Sequence, residues 1–164
     1  MNTILILLRI VHIVSGAIWV GASILLIGFV EPTASASGQT GSQFMQRLGS
    51  RMGIFITIVA VLTVLGGFAL YGMLGYRLNT TAGATFLVGG LIALVSLVVG
   101  GAITGPTTAR LGRLGAEIQS GGKPPTTEQM AQLQALQGRL RMGGRVNVVL
   151  VLIAITLMAV ARYL

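Results

Sequence analysis

"RIVHIVSGAIWVGASILLIGFVE", Arg9–Glu31, decides how this chain folds. Between its two flanking charges the stretch carries no acid, lysine or arginine. Bilayer hydrocarbon is about 30 Å thick and takes about 20 helical residues to cross. Residues 10–30 are long enough for that, and the apolar pattern extends back to Thr3. A barrel strand would be far shorter and would alternate polar with apolar positions. The stretch therefore predicts a membrane-crossing helix. It also contains His12 and Trp19, the single histidine and single tryptophan of the chain.

Further uncharged runs lie between Arg51 and Arg77, between Arg77 and Arg110, and between Arg145 and Arg162. The last, "VNVVLVLIAITLMAVA", is short for a crossing, at roughly 24 Å as a helix. Its flanking arginines can snorkel outward. Composition agrees: 54% of the 164 residues are hydrophobic and 9% are charged, against about a quarter charged in soluble domains. The expected fold is all-α, a single integral membrane domain forming a four-transmembrane-helix bundle. Its spans fall at about 3–30, 52–76, 82–105 and 144–163, with a short helical hairpin at about 106–143. "TASAS" near residue 35 resembles a cleavage site, but "MNT" lacks a basic side chain, so the first span reads as a retained helix.

Eleven Lys+Arg against three acids give a formal charge of +8. Arg47, Arg51, Arg110, Arg113, Lys123, Arg139, Arg141 and Arg145 all fall in the 1–2 and 3–4 connections. The positive-inside rule puts those connections in the cytoplasm and both termini outside. No basic tract with interleaved aromatics occurs, so nucleic acid is not an expected partner. Lipid bilayer is, with a homo-oligomer or larger membrane complex as the further expectation. The absence of cysteine excludes disulfides, thiolate metal sites and covalent c-type haem.

Within the hairpin, Leu111, Leu114 and Ile118 form one stripe and Met130, Leu133, Leu136 and Leu140 another. Thr126 and Gln129 have capping-box spacing. The stripes pack on each other, or offer a handle to a soluble partner or to anionic lipid through Arg139, Arg141 and Arg145. The 24 glycines include pairs at Gly66-Gly67, Gly89-Gly90, Gly100-Gly101 and Gly143-Gly144. Small residues let helices approach closely in lipid. They also clear space for a flat cofactor.

At about 100° per residue, Leu5, Leu8, His12, Ser15, Gly16, Trp19 and Ser23 share one side of the first helix. A polar stripe there faces other helices rather than lipid. Three roles suit His12: a hydrogen-bonded packing residue, a haem or metal ligand, or a proton carrier. Neutral imidazole is the ligating form, and Arg9 lies one turn outward on the same flank. No second histidine exists, but Met73 and Met158 fall in the outer half of their spans, at a comparable depth. A His/Met pair, or one histidine with an open position, is then the available ligation. Trp19 lies too deep for the interfacial belt and packs in the bundle or beside a cofactor. The acids Glu31, Glu117 and Glu128 lie outside the spans, so His12 has no buried acid/base partner. No phosphate loop or G-x-S-x-G elbow occurs. This argues against a stand-alone enzyme.

"LLRIVHIVSGAIWVGASILL" resembles the first helix of a loose group of small bacterial membrane proteins. The shared signature is His12, Trp19 seven residues on, and Gly21 two after that. The group comprises the copper-resistance D membrane family, its four-helix relatives of unknown function, and the J-type membrane protoporphyrinogen oxidase. The resemblance implies a bacterial inner-membrane location and, through the oxidase group, haem b ligated by His12. That group also uses a lysine within a span, whereas the single lysine here is Lys123, in the turn. Two functions follow: a small membrane protein binding haem b or a metal through His12, or a non-catalytic accessory subunit or scaffold without cofactor.

Overall fold

The computed structural model describes residues 3–122 and 124–164. Lys123, which the sequence puts in the turn between the third and fourth helices, lies outside the described residues. Four long helices account for nearly all of the chain: α1 (Thr3–Ala36), α2 (Gly38–Met73), α3 (Thr81–Ser120) and α4 (Thr127–Ala161). Each contains a segment long and apolar enough to cross a membrane. No strand occurs among the described residues. The main packing is α1 on α2 and α3 on α4, with α2 against α3 and α1 against α4 closing the ring.

The helices outrun the apolar segments that predict them. Past residue 30, α1 continues to Ala36, and α2 begins at Gly38, well before residue 52. The connection between them is Ser37 alone, because residues 38–51 contain no proline to stop a helix. At its other end α2 stops at Met73, short of residue 76. Caps mark two of the starts. The Thr80 hydroxyl accepts from the Gly83 amide, and Thr126 and Gln129 form the capping box their spacing predicts.

Trp19, Val59, Ala60, Val64, Ala93, Val151 and Ala154 make the core, drawing on all four helices. Side chains such as Ile13, Ile54, Leu65 and Val98 are exposed on the outside. Apolar residues on every face are what a helix surrounded by lipid requires. Polar links cross the interior too. Ser96 is fully buried and its hydroxyl donates to Asn147, joining α3 to α4.

Two prolines shape α1 and α3 alike. A proline has no N–H to donate, and its ring clashes with the carbonyl four residues earlier. Ahead of Pro32 the ladder widens to a π-helical segment, Leu26–Val30, and the Glu31 amide donates to the Leu26 carbonyl. Ahead of Pro106 the same happens over Gly100–Thr104, with the Gly105 amide donating to Gly100. The threonine after each proline donates back to a carbonyl four residues earlier, Thr33 to Phe29 and Thr107 to Ile103. Both segments abut the glycine pair of α4. A side chain on Gly143 would meet Thr104 and Ile103, and one on Gly144 would meet Ile27. The pair lets α4 pass between the two widened segments.

Beyond Pro106, α3 runs antiparallel to the first half of α4. Leu114 is buried there, Leu133, Leu136 and Leu140 are partly covered, and Met130 is exposed. An open cleft of about 470 Å³ lies between Arg110, Arg113 and Glu117 of α3 and Gln132 of α4. On the same end of the bundle, the Arg141 Nε donates to Glu31 at 2.7 Å, tying α4 to α1.

Candidate functional site

His12 sits on α1 where α2 comes closest. Its Nδ1 donates to the Thr63 carbonyl at 2.7 Å. A carbonyl already inside a helix ladder keeps a second lone pair, but the side chain four residues on normally crowds it. Here that residue is Gly67. A Cβ at Gly67 would lie 2.8 Å from the His12 Cε1, and one at Gly66 would lie 3.4 Å from the His12 Cβ. The Gly66-Gly67 pair thus uncovers the carbonyl and seats the imidazole against the α2 backbone. A short hydroxyl chain runs alongside: Thr63 donates to Ser15 at 2.9 Å, and Ser15 donates to the Val11 carbonyl at 2.6 Å. Thr63 and Ser15 are both buried.

This bond assigns the tautomer. A carbonyl only accepts, so Nδ1 carries the proton, and in the neutral ring Nε2 keeps its lone pair. Histidines that ligate metals are commonly held this way, by the other ring N–H on a carbonyl.

His12 lines a half-open cavity of about 640 Å³ with walls from all four helices, at the end where α1 starts and α4 finishes. That volume falls within the range of roughly 300–1,000 Å³ typical of small-molecule sites. Its walls are chiefly apolar and aromatic, with Trp19, Phe68, Tyr71, Tyr76 and Phe86 among them. Tyr76 bridges Tyr71 and Phe86, with ring centroids 5.7 Å and 4.7 Å away. The Tyr71 hydroxyl is buried and has no hydrogen-bond partner among the described residues.

Of the five residues the sequence nominates, the cavity brings together four: Arg9, His12, Trp19 and Met158. Met158 rests on a second glycine pair, with its Cε 3.3 Å from the Cβ position of Gly89 and 4.0 Å from that of Gly90. Met73 is not among the lining residues and is half exposed. Trp19 serves the core and the cavity together, at 3% exposure. Sequence reading missed Thr63, because a backbone carbonyl leaves no mark in side-chain composition. It also missed Tyr71 and Arg162, whose spacing gave a usable signal: Tyr71 follows Phe68 by three, and Arg162 follows Met158 by four. No group of three or more His, Cys, Asp or Glu able to hold a metal ion occurs among the described residues.

Comparison with protein-family models, with curated proteins and with solved structures finds no match to this chain.

Proposed function

We propose that this chain is a small integral membrane protein that binds haem b through Nε2 of His12, without being a stand-alone enzyme. One observation carries the reading. Nδ1 of His12 is committed to the Thr63 carbonyl, which leaves the other ring nitrogen available beside a large aromatic-walled cavity. A bare metal ion suits the site less well. It would need several protein donors, and the cavity lining offers no carboxylate, thiolate or second imidazole. Haem supplies four nitrogens of its own and asks the protein for one axial ligand, or two. Bound here it would supply one-electron or ligand-binding chemistry.

The chain's own residues then have separate tasks. Thr63 fixes the ring orientation, Gly66 and Gly67 make room for it, and Trp19 and Phe68 provide flat apolar walls. Met158 is the candidate second ligand. Basic residues crowd one end of the bundle, with Arg47, Arg51, Arg110, Arg113, Arg139, Arg141 and Arg145. The positive-inside rule supports that end, including the antiparallel α3–α4 extension, as cytoplasmic. Both termini and the cavity mouth then face the far side of what we propose, from the resemblance of the first helix, is a bacterial inner membrane.

The protein purified in mild detergent, after supply of haem, is expected to show a Soret band that His12→Ala removes. Met158→Leu is expected to keep the band and to lower the midpoint potential, since a methionine ligand raises it. A colourless wild-type protein, or a His12→Ala variant with an unchanged band, would overturn the proposal and leave the accessory-subunit reading.

A further inference from the structure

The rim of the cavity narrows the class of ligand. We infer that the ligand carries ionised carboxylates along one edge, and that Arg9 and Arg162 hold them. The inference rests on the reading of the cavity as the site of a flat ligand. It does not rest on coordination by His12.

Arg9 and Arg162 both line the cavity, from opposite chain ends and different helices. Arg9 lies three residues outward of His12 on α1, and Arg162 lies four residues outward of Met158 at the end of α4. One helical turn is about 5.4 Å. Each arginine therefore starts roughly one turn nearer the surface than the candidate ligand on its own helix. A flat molecule reaching down to His12 and Met158 would present its outer edge between the two guanidinium groups.

The charges at this rim, Arg9 and Arg162, have no ion-pair partner among the described residues. None of the acids Glu31, Glu117 and Glu128 lines the cavity. Arg162 lies over the Tyr163 ring, 5.3 Å from its centroid. Tyr71 also lines the cavity, and its hydroxyl is a buried donor without an acceptor among the described residues.

Topology does not account for these arginines. In the orientation proposed above, the positive-inside rule disfavours basic residues at this end. Arg9, Arg77 and Arg162 are nevertheless there, and two of the three line the cavity. Guanidinium forks bind carboxylate and phosphate alike, through paired N–H donors. A lipid phosphate would satisfy the rim, but it would not use the broad aromatic body of the cavity beneath. An apolar plate with a carboxylate edge uses both.

Metal-free protoporphyrin and its dimethyl ester test the point. Both are titrated into the full chain in neutral detergent and read through quenching of Trp19, the single tryptophan, which lines the cavity. The diacid is expected to bind about tenfold or more tightly than the ester, the size of one to two charge-assisted hydrogen bonds. The pair Arg9→Gln and Arg162→Gln is expected to remove that preference while leaving ester binding and helicity unchanged. His12→Ala is expected to keep the preference, because a metal-free ring takes no axial ligand. Equal affinity for diacid and ester, a preference that survives loss of both arginines, or no binding of either would overturn the inference. So would an anionic phospholipid that abolishes the preference when mixed into the detergent, since the rim would then be a headgroup site. A preserved preference alongside haem that binds no better than the metal-free ring would sink coordination by His12 and leave the carboxylate rim standing.

Discussion

At the scale of single residues, the site depends on what glycine omits. Gly67 leaves the Thr63 carbonyl open to the imidazole, and a Cβ there would stand 2.8 Å from the His12 ring. Gly67→Ala is expected to push the ring off its acceptor and weaken haem binding at least tenfold, measured by titration, with secondary structure retained. Trp19 is the opposite case, a large side chain at 3% exposure in the centre of the core. Trp19→Ala is expected to cost about 3–5 kcal/mol, through lost contacts and an unfilled cavity, read as earlier thermal unfolding in detergent. His12 was legible from the sequence as an inward-facing residue, because the helical period puts it with Ser15 and Trp19, and both are buried. Its acceptor was not legible. The bond depends on the depth at which α2 crosses α1, and no local pattern encodes that depth. The four-residue step from Met158 to Arg162 was open to reading, but Met73 drew equal weight on depth alone. Depth leaves the facing direction of a helix end undetermined.

The elements were easier to read than their ends. Four apolar runs predict four helices, since residues in lipid must satisfy their backbone groups internally. The extension of α2 back to Gly38 left no such trace, because a polar helix packed at one end carries neither apolar length nor a strong stop signal. The widened turns in α1 and α3 trace to Pro32 and Pro106, which the sequence displays openly. What it does not display is that both meet α4 at Gly143-Gly144. Gly144→Leu is expected to force α4 away from Ile27 and destabilise the bundle, with a lowered midpoint of thermal unfolding. Gly138→Leu, at an exposed position of α4 where an added Cβ meets nothing within 4 Å, is the matched control and is expected to leave the midpoint nearly unchanged. The Ser96–Asn147 bond is a polar link between α3 and α4. Asn147→Ala is expected to lose about 0.6–2 kcal/mol, the range for interhelical hydrogen bonds in membranes. The Arg141–Glu31 pair has side chains 46% and 22% exposed, so its removal is expected to change stability by less than about 1 kcal/mol.

Taken whole, the molecule is polarised. One end gathers basic residues and the packed extension of α3 and α4, and the other holds a cavity that Arg9 and Arg162 help to line. A chain without cysteine lends itself to mapping that polarity. In sealed vesicles of known orientation, a cysteine at Ser37 is expected to react with an impermeant thiol reagent from the cytoplasmic face. One at Asn79 is expected to react from the opposite face, and the reverse pattern would invert the proposed topology. At the other end, we propose, Nε2 of His12 ligates haem. The most direct test is a haem titration of the purified wild type and His12→Ala, followed at the Soret band. Saturation at one haem per wild-type chain, and no saturable band in the variant, is the expected result. A wild type that never saturates, or a variant that saturates like it, would rule out haem ligation by His12.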